Sequence, residues 1–276
     1  MPQVKVGNIS IGDNAPLVLI SGPCVIETED LVLKTAEQIK KITDKYKIPF
    51  IFKASCIKAN RWRETNYLGP GLEKGLEILA KVKKNLGVPV LTDVHSASDP
   101  PIVAEVVDVI QIPAFLCRQT DIAVAAGKTG KPINLKKGQF IAPEDMGVLA
   151  GKIKSTGNNQ IMLTERGVVF GYSNLVVDMR SLVKMRELGY PVVFDVSHSI
   201  QMPTANTSVK RGEPEYILPL ARAGVACGCD ALFIETHPDV KNAMSDRDSM
   251  LPLENLEPLL KQVTQIDRLC KPFVYE

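Results

Sequence analysis

Short apolar runs rich in β-branched residues recur along the chain, separated by longer stretches with apolar positions three or four residues apart. The runs are PLVLISG from Pro16, PFIFKAS from Pro49, PVLTDVH from Pro89, VIQIPAFL from Val109, PINLKKG from Pro132, IMLTERG from Ile161, PVVFDVS from Pro191 and ALFIETH from Ala231. Each reads as a strand. Segments such as DLVLKTAEQIKKITDKY and GLEKGLEILAKVKKNL carry their charges on the face opposite their apolar residues, as an amphipathic helix requires. Strict alternation of strand and helix predicts a parallel sheet with helical crossovers. Eight such units in about 250 residues is the size of an α/β (β/α)8 TIM barrel, here a single domain over residues 1–276. An open doubly wound sheet is the alternative, but no G-x-G-x-x-G follows the first strand. VKVGNISIGD alternates around Gly7-Asn8 and predicts a short N-terminal β-hairpin, a cap over residues 1–14 at the N-terminal mouth. After the seventh run, MPTANTSVKRGEPEY is long, polar and Gly/Pro-containing, a length that in a domain of this kind signals function.

Composition narrows the classes. Lys+Arg 33 against Asp+Glu 31 leaves a net charge of +2, which gives no electrostatic footprint for nucleic acid or an anionic membrane. A 45% hydrophobic, 23% charged chain is ordinary for a packed domain, and no apolar run approaches the roughly 18 residues that span a bilayer. The segment MPQVKVGNISIGDNAP has neither an apolar signal core nor an arginine-rich leader, which predicts a cytosolic location. Six scattered cysteines in a reducing compartment predict free thiols, with Cys227 and Cys229 as small packing residues. Cys24 differs, because it follows Gly22-Pro23 at the end of an apolar run where packing has little use for it.

A barrel places its chemistry at the C-terminal ends of its strands. The runs here end in Cys24; Lys53, Ser55 and Lys58; Asp93 and His95; Gln111 and Arg118; Lys136 and Lys137; Glu165 and Arg166; Asp195 and His198; Glu235 and His237. All three histidines of the chain fall at such ends. Lys53, Lys58, Arg118, Lys136 and Arg166 are cations in or beside apolar strands, where an unmet charge is costly. A substrate with phosphate and carboxylate groups would meet them; internal salt bridges to Asp93, Glu165 and Asp195 are the alternative. A second set, Cys24, His198, Glu235 and Asp246, offers thiolate, imidazole and carboxylates suited to a divalent ion such as Fe, Mn or Zn, although no local ligand spacing ties them together.

The strings SGPCVIE, KANR, QIPAFLCRQTD, NLKKGQF, LTERG, FDVSHSIQMP and ETHP, then SDRDSMLPL, run in order from Gly22 to about Leu253. Together they resemble the 3-deoxy-D-manno-octulosonate 8-phosphate (KDO-8-phosphate) synthases over nearly the whole chain. The related 3-deoxyheptulosonate 7-phosphate synthases are expected to carry a K-P-R-T type motif where this chain has KANR. The resemblance implies a barrel that condenses phosphoenolpyruvate with arabinose 5-phosphate and water, releasing phosphate. It also implies a homotetramer and a role in making the inner sugar of lipopolysaccharide. By motif, Lys53, Ser55, Lys58, Ala114, Lys136 and Arg166 would hold phosphoenolpyruvate with Gln111 nearby, Asn60 and Arg61 the aldose phosphate, and Asp93 would lie beside the aldehyde. Lys58, Asp93, Lys136 and His198 are the expected catalytic residues, and Arg118 an additional substrate contact. The family divides at one position, Cys against Asn, into metal-dependent and metal-independent branches; Cys24 implies the metal-dependent one, with no organic cofactor. Cys56, Ile57, Trp62 and Leu68 depart from the family pattern, all in the aldose half, so another phosphorylated aldose is an alternative. Trp62 is expected to fill the space of the missing residues, with stacking on the sugar as the alternative. A non-catalytic sensor of phosphorylated metabolites, and a lyase forming a Schiff base on Lys136 or Lys53, are the other readings.

Overall fold

The apolar runs become the staves of a closed parallel barrel in the structure, a computed structural model that describes residues 3–204 and 210–273. Ahead of it, β1 (Val4–Val6) and β2 (Ile9–Ile11) form the antiparallel hairpin expected around Gly7. The first six staves are β3 (Val18–Gly22), β4 (Phe50–Lys53), β5 (Val90–Asp93), β6 (Val109–Ile112), β7 (Ile133–Lys136) and β8 (Ile161–Glu165). A small hairpin, β9 (Val168–Phe170) with β10 (Asn174–Val176), follows and was not expected from the pattern. The last two staves are β11 (Val192–Asp195) and β12 (Ala231–His237), which pairs with both β11 and β3 and so closes the barrel. The main outer helices are α1 (Glu29–Tyr46) and α2 (Leu72–Leu86) early in the chain, with α3 (Asp99–Val103), α4 (Thr120–Lys128), α5 (Met146–Lys154) and α6 (Arg180–Glu187) after them. The short α7 (Val196–Ser199), then α8 (Ile217–Ala226) and α9 (Leu256–Cys270), complete the ring. Thr28 caps α1 by accepting from Leu31 N, and the helix stops where Lys47 takes the left-handed conformation.

Side chains alternate in and out along each stave. Leu19, Phe50, Phe52, Val90, Ile110 and Leu135 face the helices in the main core. Val18, Ile20, Ile51, Leu91, Val109, Met162, Val193, Ala231 and Phe233 fill the barrel, and Val4, Val6 and Ile11 of the hairpin join them. The hairpin therefore closes the N-terminal mouth with apolar side chains. Two residues on from the apolar layer, the same inward rows carry Lys53, Asp93, Gln111, Asp195 and Glu235, all buried. The barrel's own periodicity thus delivers its charged groups to the C-terminal mouth.

A cleft of about 450 Å³ is at the opposite end, lined by Leu17, Tyr46, Lys47, Asp267 and Lys271 among others. Of the polar stretch 202–216, residues 205–209 lie outside the described residues; its flanks are joined by an antiparallel bridge between Gln201 and Gly212. No helix among the described residues is long and apolar enough to cross a membrane.

Candidate active site

Phe233 forms the floor of the C-terminal mouth. Above its ring lie Lys136 Nζ, 3.9 Å from the centroid, and Lys53 Nζ, 5.6 Å away. Both lysines are already met. Lys53 donates to Glu235 Oε1 at 2.6 Å and to the Cys24 carbonyl at 2.9 Å, Lys136 is bonded to Asp195, and Lys137 lies 3.4 Å from Glu165. The expectation that these cations await an anion is corrected to that extent: internal pairing offsets much of the cost of burying them. Carboxylates engage both amines, and at Lys136 burial outweighs the attraction of Asp195 and lowers the pKa below that of an ordinary lysine. Burial alone would raise the carboxyl of Asp195, but His198 and Lys136 outweigh it and hold it well below the usual carboxylate range. At Glu235 burial is again overcome, by Lys53 and His198.

Asp195 also positions His198. As the residue capping α7, its carboxylate accepts from His198 N at 3.0 Å and lies 2.8 Å from His198 Nδ1. An imidazole whose Nδ1 is engaged by a carboxylate presents Nε2 outward. Here Nε2 is 3.6 Å from Glu235 Oε2 and 3.7 Å from Asp246 Oδ2. Cys24, Glu235 and Asp246 each offer a ligand atom, all within 4.8 Å of one another. Asp246 reaches this position from a left-handed backbone, φ 46°, which aspartate tolerates. The expected metal set is therefore brought together, His198 lying beside the carboxylates of the three-residue group. The donor chemistry suits a borderline divalent cation. Two observations fit one: Glu235 Oε2 is buried without a hydrogen-bond partner, and burial together with Asp246 and Glu235 pushes the Cys24 thiol far up, so that only a cation would favour its thiolate.

Further buried polar atoms at this mouth lack hydrogen-bond partners: Ser55 Oγ, Asp93 Oδ1 and Arg166 Nη1. Arg166 Nη2 donates to Gln201 Oε1 at 2.9 Å, and Gln201 Nε2 is 3.3 Å from Asp246. Lys58 is buried among Cys24, Glu235, Asp93 and Asp246; burial would lower its pKa, but these groups raise it above an ordinary lysine. Gln111 accepts from Asn134 Nδ2 at 3.0 Å, and Ala114 is buried at the start of a 3-10 turn just past β6. Two residues depart from expectation in their surroundings. Arg118 is exposed, so the cost of burying a charge says nothing about its role. Trp62 is 58% exposed and fills no gap; instead Cys56 packs inward, leaving so little room that a Cβ on Gly75 would lie 2.6 Å from its Sγ. Leu68 is half-exposed and Ile57 partly buried. Asn60 is exposed beside the mouth, whereas Arg61 turns inward. Two of the histidines have local partners: His95 lies 3.3 Å from Asp93, and buried His237 lies 3.4 Å from Glu27.

The sequence marks Asp195 as a strand-end group and a salt-bridge partner but not as the support of His198, and it does not mark Gln201 and Ser245, neighbours of Asp246 and Cys24. Asp195 had a signal, since an aspartate three residues before a histidine at a strand end can cap and orient it. Gln201 and Ser245 had none.

The profile of the DAHP synthetase I family matches residues 2–271. Among curated proteins, similar chains named 2-dehydro-3-deoxyphosphooctonate aldolase come from Geotalea uraniireducens, 52% identical over 269 residues, 98% of this chain and 99% of that one. The Fusobacterium nucleatum protein of the same name is 52% identical, covering 98% of this chain and 97% of its own. That of Methylococcus capsulatus is 54% identical over 261 residues, 95% of this chain and 92% of its own.

Proposed function

We propose, from the premise that this chain belongs to the DAHP synthetase I family, that it condenses phosphoenolpyruvate with arabinose 5-phosphate and water to give 3-deoxy-D-manno-octulosonate 8-phosphate and inorganic phosphate. The relatives are named for that same 2-dehydro-3-deoxyoctonate phosphate, and the motif resemblance points to the same product. The observation that carries the reading is the set of unpartnered buried atoms at one mouth, Ser55 Oγ, Asp93 Oδ1, Arg166 Nη1 and Glu235 Oε2. Each unmet polar group costs about 1–3 kcal/mol, so the site is complete only with a ligand that both donates and accepts.

In the reaction, C3 of phosphoenolpyruvate bonds to the aldehyde carbon, water adds at C2 and the phosphate leaves with its bridging oxygen. Lys53 and Lys58 position the carboxylate and bridging oxygen, with Ser55 and Ala114 beside them. Lys136 and Arg166 balance the phosphate charge as it grows, and Gln111 lines the same wall. Asn60 and Arg61 hold the aldose phosphate, with Arg118 as a further contact. Asp93, ionised and with Oδ1 free of hydrogen bonds, accepts from the aldose end. His198, fixed by Asp195, presents Nε2 to Glu235 and Asp246. Cys24, His198, Glu235 and Asp246 would hold a divalent ion, Mn, Fe or Zn, which when bound supplies Lewis-acid chemistry toward a water or aldehyde oxygen. Homotetramer assembly, a cytoplasmic location and a role in the inner sugar of lipopolysaccharide complete the reading, supported by the motif resemblance and the relatives' shared name.

Product mass tests it. With phosphoenolpyruvate and arabinose 5-phosphate, an eight-carbon keto-acid phosphate is expected. A seven-carbon product, formed only from a four-carbon aldose phosphate, would replace the aldose assignment. Folded protein that forms neither would overturn the synthase.

A further inference from the structure

Arg61 sits where the cation ligands and the aldose half meet. Its Nη1 is 3.5 Å from Asp246 Oδ1, and its Nη2 donates to Ser245 Oγ at 2.6 Å. Ser245 Oγ lies 2.9 Å from Cys24 Sγ, and that thiol donates to Asp246 Oδ2 at 3.3 Å. The guanidinium therefore leans on two neighbours of the thiol, one of them a member of the three-residue ligand group. Arginine does not deprotonate, so it yields this place to another cation only by moving. Within its own loop the guanidinium is held by one bond, Nε donating to the Tyr67 carbonyl at 3.2 Å. Residues 59–66 are exposed apart from Arg61, and the loop is pinned at its base by the Lys58 N–H donating to the Leu68 carbonyl at 2.8 Å.

We propose that Arg61 is a latch on the cation site. In the unliganded protein it serves as one counter-charge of Asp246, beside Lys58 and His198. A divalent ion at Cys24, Glu235 and Asp246 displaces it, because two cations this close repel and compete for one carboxylate. The released guanidinium then meets the aldose phosphate. Ion and sugar phosphate consequently tighten each other's binding, since linkage between two sites is reciprocal. The inference rests on the metal and aldose-phosphate assignments above, and adds the coupling between them.

Free Mn2+ counted by electron paramagnetic resonance, with no phosphoenolpyruvate present, reads the coupling without turnover. For the parent protein, arabinose 5-phosphate should tighten Mn2+ binding about fivefold, the low end of such couplings, after correction for Mn2+ held by the sugar phosphate itself. Arg61→Met should bind Mn2+ more tightly than the parent in the absence of sugar phosphate and should lose the fivefold response. Ser245→Ala keeps the charge but removes one of the latch's hydrogen bonds, and should shift in the same direction. Parent Mn2+ affinity that is the same with and without arabinose 5-phosphate, with either variant binding like the parent, would overturn the latch and leave the metal site standing. No Mn2+ binding by the parent or by either variant would remove the metal reading, and the latch with it.

Discussion

Asp195 touches Lys136 and both nitrogens of the His198 backbone and ring that face it, so one buried carboxylate sets the positions of two residues at the site. Replacing such a support lowers metal affinity about 10–100-fold in comparable sites. Asp195→Ala is expected to show that loss in a Mn2+ titration, together with a fall in kcat; unchanged affinity would mean that His198 is held by its packing on Phe233 instead. Asp93 carries a pH signature. Burial would raise its pKa, but the hydrogen bond from His95 and the charges of Lys58 and Lys53 hold it well below the usual carboxylate range. A carboxyl depressed in the folded state adds stability above its ordinary pKa of about 4, and that stability drains away as pH falls through that value toward the folded one. Melting temperature should therefore drop more steeply between about pH 5 and pH 3 in the parent than in Asp93→Asn. Parallel curves would show that Asp93 contributes nothing through its charge. At this scale the sequence was partly legible. Cys24 stood out because a thiol follows Pro23 at the end of an apolar run, although in the fold it is buried and also packs with Ala243 and Met250. Ser245 did not, because its meaning comes from Cys24 and Arg61, both nearly two hundred residues or more away, and a lone serine carries no sign of them.

At the scale of elements, period-two alternation explains both core and site. The inward row of β4 holds Ile51 in the barrel layer and then Lys53; that of β12 holds Ala231 and Phe233, then Glu235. All eight staves were readable because each is buried on both faces and flanked by an amphipathic helix or a turn. The β9–β10 hairpin was not, because Val169 and Phe170 are exposed apolar residues and so break the link between apolarity and burial. The N-terminal hairpin separates stability from chemistry. Ile11 is fully buried in the plug at the mouth opposite the site. Ile11→Ala is expected to cost about 2–5 kcal/mol in denaturant unfolding while leaving kcat near its parent value below the melting transition. A large fall in kcat without loss of stability would mean that the plug shapes the far end of the barrel.

For the whole molecule, the closed ring of staves gathers residues from Cys24 to Asp246 at one mouth, which is why no short motif could announce the cation site. The outer surface leaves Phe115, Phe140, Phe170 and Tyr172 exposed, aromatic area that a lone chain gains nothing by showing to water. The proposed homotetramer predicts a light-scattering mass about four times the 30.2 kDa chain; a mass of one chain would remove that part of the reading. The proposed condensation of phosphoenolpyruvate with a sugar phosphate requires a cation, which Cys24, His198, Glu235 and Asp246 would hold. It is tested most directly by phosphate release from phosphoenolpyruvate with arabinose 5-phosphate, before chelation, after it, and after Mn2+ is restored. Release that stops with the chelator and returns with Mn2+ is the predicted result, and full release from chelated, metal-free protein would contradict it.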